Sequence, residues 1–597
     1  MQKKYKIIIL SSGVVLLIIL FKIILEFQYR SNIPDMPGKE SITEVLRDQI
    51  SAATRKAWLN PSSNNLGILG MIYHSSSDYQ RAAECYNLAA KRNKSKWMWN
   101  YYLGYLNKEM GESPDMVHNF EQVVKTNPAA HHAWYYLGEG YQYLGEMGKA
   151  EEALKRISSL KEIQKPANKI FRTDHFPMGI YASFLLGKLY LNTGKIDSSQ
   201  KVLTELITSF RTFGPAYSVL GNIYQIKGDS VTGKNYIAQA NDLLPVTAPA
   251  DTLLDIIALR SRSELFILKQ IDEASNTYYK DWALTLADHA LNYLPENKYL
   301  VSKFIKLLFD NYSGITAVQF LDDHLKNFSE DFEELKQVGD LLYEHGFYSE
   351  SRPYYNRALE LRPESTDIQA NMVFSFLNED KKEEGLALLK QYLEKDQENP
   401  GILTNAVYTM LLTDDYGEAE NYLNSLKKIT PGSTKVLLLS GFIAQQKGDT
   451  DKARVLFETA FRNNPEELIC AQSLGDVLIR QKMWRRSIEH FSVALEYFPN
   501  EPFIIEKLGS LLATCPDPNL RDYNKGIQLL ERLMIHRACP AEIKISAGKN
   551  LVKACTFTGQ KEHALSYLRY ITEFAGNYNA PREVFVELEE LLKELNK

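Results

Sequence analysis

The sequence predicts an all-α chain of stacked helix–turn–helix units, and three observations carry that prediction. A small residue, often the Gly of a Leu-Gly pair, recurs with a period of 34 residues. Each period holds two apolar stripes at helical spacing, separated by a turn that carries Gly or Asp. A late proline closes many periods, where it ends the second helix.

The period is read from particular residues. Leu137-Gly138, Tyr141, Ala150 and Leu154 form one instance. Gly441, Ala453, Phe457, Ala460 and Pro465 form another, and Gly475, Phe491, Ala494 and Pro499 repeat its phase 34 residues later. Gly339, Tyr355, Ala358 and Pro363 stand three periods before the Gly441 set. Turn glycines fall at Gly145, Gly194, Gly228, Gly346 and Gly448. The small residues let two helices approach closely, and the large ones fill the space beside them. One such unit cannot bury its faces alone, so neighbours must stack.

This pattern resembles the tetratricopeptide repeat. On that resemblance, units begin near 63, 97, 131, 180, 214, 264, 298, 332, 366, 400, 434, 468, 502 and 545, and the implied fold is a right-handed superhelical solenoid of about fourteen units. The chain then divides into repeats 1–3 (63–159), an insertion (160–179), repeats 4–5 (180–247), an extra helical segment (248–263) and repeats 6–14 (264–580). An amphipathic segment (41–62) and a charged helix (581–597) cap the two ends. A second insertion, Cys515 to Asp522, interrupts repeat thirteen.

The first residues differ from the rest. A basic tail (1–6) with Lys3, Lys4 and Lys6 precedes Ile7–Leu25, apolar except for Lys22 and a few small residues. Nineteen residues at ~1.5 Å each match one hydrocarbon core. The sequence therefore predicts a transmembrane signal anchor at 7–25 and a stalk at 26–40. The rival, a cleaved signal peptide, needs small residues after the apolar run, and Glu26-Phe27-Gln28-Tyr29-Arg30 supplies none. The lysines ahead of the run predict a single-pass membrane protein with its N-terminus cytoplasmic and its repeats on the periplasmic or extracytoplasmic side.

Composition excludes several classes. The 597 residues carry 69 Lys+Arg and 74 Asp+Glu, a formal charge of −5. That balance argues against nucleic-acid binding. Five cysteines occur without any C-x-x-C, so no zinc site, redox pair or attached haem is predicted. Gly228 to Asn235 falls one residue short of a phosphate-binding loop, with Asn235 where Ser or Thr would hold Mg²⁺. His131 and His132 are adjacent and face different ways, so they do not form a metal pair. Neither a catalytic motif nor a cofactor or metal site is expected. An enzyme with its site in an insertion stays the weakest alternative.

The expected site follows from the resemblance, which places the first helix of each unit on the concave face. Positions 2, 5, 9 and 12 then give Met98, Tyr101, Tyr105 and Lys108 in repeat two and His132, Tyr135, Glu139 and Gln142 in repeat three. Trp97, Trp99, Tyr102, Tyr136 and Tyr143 lie beside them. Large aromatic side chains with polar tips suit binding hot spots. Tyr101, Tyr105, His132, Tyr135, Glu139 and Gln142 are the predicted partner-binding groove. A family subgroup clamps C-terminal carboxylates with Lys at position 5 and Asn at position 9. Repeat five has Ser218 with Asn222, and repeat eight has Lys336 with Asp340, so that clamp is not expected. The predicted function is a membrane-anchored, non-catalytic scaffold for proteins or extended peptides. The alternative is an envelope assembly factor of the cytochrome c maturation or secretion type.

Overall fold

The computed structural model describes residues 24–38, 42–158, 172, 176–246, 248–295, 297–311, 314–324, 331–536, 539–578 and 580–595. These residues are helical throughout, with no strand among them. They divide into two compact units. One runs through Asp229 and adds Pro245–Asp323; the other joins Ser230–Leu244 to the chain from His324 onward.

In the first unit, α1 (Glu44–Leu59) lays Leu46, Ile50 and Ala57 against the first pair. Four antiparallel pairs follow: α2 (Ser63–Ser75) with α3 (Tyr79–Arg92), α4 (Met98–Met110) with α5 (Ser113–Thr126), α6 (His131–Tyr143) with α7 (Met147–Ser158), and α8 (Met178–Asn192) with α9 (Ile196–Ser209). Next comes α10 (Gly214–Ile226). Its sequence partner α11 (Ser230–Asn241) belongs to the second unit. The short α12 (Thr252–Arg260), the pair α13 (Glu264–Ser275) and α14 (Lys280–Leu291), and α15 (Lys298–Asn311) with α16 (Gly314–His324) complete the series.

In the second unit the pairs are α17 (Phe332–Glu344) with α18 (Tyr348–Leu361), α19 (Thr366–Leu377) with α20 (Lys382–Lys395), α21 (Pro400–Leu412) with α22 (Tyr416–Ile429), and α23 (Thr434–Gln446) with α24 (Thr450–Asn463). Then come α25 (Leu468–Arg480) with α26 (Trp484–Tyr497), α27 (Pro502–Thr514) with α28 (Tyr523–Ile535), α29 (Ala541–Phe557) with α30 (Lys561–Asn577), and the terminal α31 (Arg582–Leu595).

The pairing follows from side-chain size. A Cβ placed on Gly475 would lie 2.1 Å from the Phe491 ring, and one on Gly441 would lie 2.4 Å from Phe457. The first helix of each of these pairs therefore needs glycine where the second presents its ring. The turns need the left-handed region as well. Gly145, Gly194, Gly228, Gly346 and Gly448 have φ between +75° and +86°, where glycine is unstrained. Ser77, Asp380, Asp414 and Lys482 take the same conformation without being glycine. An aspartate after several of these turns caps the second helix: Asp78 accepts from the Arg81 amide, Asp415 from Glu418 and Asp449 from Lys452.

The expectation of a single-pass membrane protein is corrected. No helix among the described residues is long and apolar enough to cross a membrane. The predicted anchor at 7–25 lies, except for 24 and 25, outside the described residues, as do the basic tail 1–6 and most of the insertion 160–179. The residues expected as a stalk lie against the first pair. Glu26 pairs with Arg92, whose guanidinium sits 4.8 Å from the Tyr29 ring, and Arg81 Nε donates to the Asp35 carbonyl at 2.7 Å.

Cys85, Cys470, Cys515 and Cys555 are buried, Cys539 is half-buried, and none is in a disulfide. In the second insertion Arg521 Nε donates to the Cys515 carbonyl at 2.6 Å and the Asp522 amide to Leu512 at 2.9 Å, so the loop is braced back onto α27. The near phosphate loop is a helix turn: Gly228 holds the left-handed conformation and Gly233 lies inside α11. Arg480, Lys482, Arg485 and Arg486 cluster around the turn between α25 and α26, and Arg486 is bonded to Glu458 at 2.7 Å.

Candidate functional site: an occupied groove

Helices α4 and α6 present their Tyr and His side chains to one groove of the first unit. The groove holds polypeptide, namely residues 250–260 of the same chain. Tyr101 Oη donates to Asp251, and Tyr136 Oη reaches the same carboxylate oxygen at 3.4 Å. His132 Nε2 lies 2.8 Å from the Ala250 carbonyl, and its acceptor makes it the protonated ring nitrogen. Tyr102 Oη donates to the Leu253 carbonyl at 3.0 Å. Asp251 also caps α12, accepting from the Leu253 amide at 3.0 Å. Ile257 joins the hydrophobic core of α1–α4, and Leu253, Leu254 and Ile256 pack against it.

One helical turn after Asp251, Asp255 is 1% exposed. Arg172 Nε donates to it at 2.6 Å and the Arg172 amide at 3.1 Å. Burial pushes the Asp255 carboxyl up to about 6, against the opposing pull of Arg172. Burial acts to lower the Arg172 pKa, and the Asp255 charge and hydrogen bond outweigh it, so the guanidinium stays charged. Burial, reinforced by Asp251, holds the Tyr101 and Tyr136 hydroxyls well above their usual range. They remain protonated donors. The groove therefore offers hydroxyl, imidazole and guanidinium donors to carboxylates and main-chain carbonyls. No group of residues able to hold a metal ion occurs among the described residues.

The six predicted residues are distributed as follows. Tyr101 and His132 touch residues 250–251 directly. Tyr105 is half-buried with its ring 5.5 Å from that of Tyr136. Tyr135 is 2% exposed and packs edge-on against Tyr136 at 5.6 Å. Glu139 is bonded to Lys108 at 2.6 Å, and that ammonium lies 4.7 Å from the Tyr136 ring. Gln142 is half-buried, and its Nε2 has no partner among the described residues. Sequence reasoning set Tyr102 and Tyr136 beside the site and missed Asp251, Asp255 and Arg172. The signal for Asp251 was present, since an aspartate directly before an apolar helical run reads as a cap. Lys336, at the clamp position, is bonded to Asp340 of its own helix at 2.6 Å.

A family model described as tetratricopeptide repeat matches residues 64–96. The chain is 23% identical over 459 residues to the TPR repeat-containing protein MJ1428 of Methanocaldococcus jannaschii, covering 74% of this chain and 71% of that one. It is 28% identical over 127 residues to the CTR9 homolog of Arabidopsis thaliana, covering 21% of this chain and 12% of that one. Among solved structures it is similar to yeast Tom70, with 13% identity, a TM-score of 0.35 and coverage of 89% and 96%. It is also similar to a tetratricopeptide repeat protein of Parabacteroides merdae, with 16% identity, a TM-score of 0.30 and coverage of 45% and 100%. The chain thus carries a tetratricopeptide repeat at residues 64–96 and is similar over most of its length to a tetratricopeptide-repeat protein. Proteins of this class generally serve as protein-interaction scaffolds.

Proposed function

We propose that this protein is a non-catalytic scaffold that holds protein partners or extended peptides on the concave faces of its repeats, with Tyr101, Tyr105, His132, Tyr135, Glu139 and Gln142 in or beside the groove that receives them. The observation that supports this reading is the use of the groove's donors. Tyr102 and His132 are directed at main-chain carbonyls, which every polypeptide carries. The surrounding aromatic rings supply contact area at small rotamer cost. A narrower role as an assembly factor for cytochrome c maturation or secretion gains no residue from this groove.

The test is in-cell photocrosslinking of the full chain. A photoreactive residue at Gln142 or at Tyr143, 66% exposed at the rim, captures a polypeptide if the reading holds. Adducts only from a distal first helix, such as at Gln445, refute this location. Turnover of a substrate by the purified chain alone refutes the scaffold reading.

A further inference from the structure

The segment 248–263 lies outside the 34-residue period, between the unit that starts at Gly214 and the one that starts at Glu264. Stacking of repeats does not require it. Nevertheless its buried face is chemically specific. Pro249, Ala250 and Asp251 are buried, as are Asp255, Ile257 and Ala258 on α12. Two carboxylates four residues apart lie on one face of that helix. One meets two tyrosine hydroxyls and the other a guanidinium. Between them, Leu253, Leu254 and Ile256 cover the apolar floor.

We propose that residues 250–260 are a displaceable internal ligand, and that the partner of this groove is an acidic–aliphatic segment that forms a short helix, with one Asp as its cap and a second Asp one turn later. This rests on the reading of the groove as a polypeptide site, and specifies its ligand. The partner's cap carboxylate takes the Tyr101 and Tyr136 hydroxyls, and its second carboxylate takes Arg172. Its first carbonyls take His132 and Tyr102.

The properties of the occupant set the terms of the competition. α12 has 9 residues, below the ~12–15 at which an isolated helix holds in water, so once outside the groove it keeps no helix of its own. Its tether keeps it at an effective concentration on the order of millimolar. A partner in trans therefore meets a groove that is free only part of the time, and its apparent affinity falls by that fraction. If the internal segment occupies the groove about 99% of the time, releasing it strengthens trans binding by ~100-fold.

The experiment uses the full chain and a fluorescent peptide with the sequence of residues 248–262. Binding is followed by anisotropy for the native chain and for Asp255→Lys, which sets a cation against Arg172. Asp251→Ser is the milder variant, since Ser still caps the helix but removes the carboxylate from Tyr101 and Tyr136. At least tenfold tighter binding by either folded variant is expected, and a peptide with both aspartates replaced by lysine should lose it. In the native chain, saturating peptide should speed hydrogen exchange across Thr252–Arg260. Equal affinity of native and variant chains, equal binding of the lysine peptide, or unchanged exchange under saturation overturns the proposal. If the peptide fails and Tyr143 still crosslinks polypeptide, the proposed ligand falls and the groove stands. If both fail, the groove reading falls too.

Discussion

Asp242 and Arg532 provide a sharp test of how the second unit is held together. Asp242 is fully buried and Arg532 is 9% exposed at its side chain. Arg532 Nε donates to Asp242 at 2.8 Å and Nη2 at 3.3 Å, so the pair is bidentate. Removing one partner of a buried pair costs about 3–5 kcal/mol, because the other charge is left uncompensated. Here the lower end applies to Asp242→Ala. Nη2 keeps the Pro499 carbonyl at 2.9 Å and the Asn500 side chain at 3.1 Å, while Nε loses Asp242. A cost of about 3 kcal/mol corresponds to ~100-fold more frequent opening of the segment 230–244.

The assay is native-state hydrogen exchange at the Asp242 and Leu243 amides, which are bonded to Gln239 and Ala240. The double variant Asp242→Leu, Arg532→Met replaces the pair with apolar groups and should return protection to within ~10-fold of native, since buried pairs are often exchangeable for packed apolar residues. Protection within twofold of native in Asp242→Ala would refute the reasoning, as the pair would then contribute nothing to holding this segment.

Three further outcomes follow from the packing. Gly475→Ala brings a Cβ against the buried Phe491 ring; overpacking of ~1–3 kcal/mol outweighs the ~1 kcal/mol helix gain of alanine, so α25 and α26 should exchange faster. Gly148→Ala, where a Cβ meets nothing within 4 Å, should instead stabilise α7 by roughly 0.5 kcal/mol, measured the same way. His490 donates Nε2–H to the Ala471 carbonyl at 2.7 Å, and burial lowers its pKa below the usual range. Below pH ~6.5 the unfolded chain takes up a proton that the folded one refuses, so stability at this site is lost as pH falls. Denaturant titrations read at α25–α26 should show that acid limb flattened in His490→Gln.

The stacked pairs were readable because the repeat encodes them locally. Gly475 and Phe491 lie sixteen residues apart in sequence and touch across one turn, so size alternation along the chain reports the contact directly. The turn glycines are equally local. Two features depend on distant sequence and were not readable. The period treats α10 and α11 as partners in one repeat, whereas Ser230–Leu244 packs in the second unit, where Asp242 meets Arg532. Similarly, positions 2, 5, 9 and 12 select the face that carries Tyr101 and His132 but give no information on what covers it. Asp251 reaches Tyr101 from 150 residues away, and no periodicity announces such a meeting. The apolar run at the N-terminus gave the opposite error, since local hydropathy alone carried the expectation of a membrane-spanning protein.

The bond between Asp242 and Arg532 also bears on synthesis. Most of this chain assembles from neighbours, and each new helix pair finds its support already made. Asp242 is an extreme exception, for its partner is encoded 290 residues later. At ~5–20 residues per second, a ribosome needs roughly 15–60 s to cover that distance. Throughout that interval Asp242 and Leu243 face water or whatever chaperone attends the nascent chain. The second unit thus has one joint that only a nearly finished polypeptide closes, so a chain truncated before Arg532 carries the repeats without their clasp.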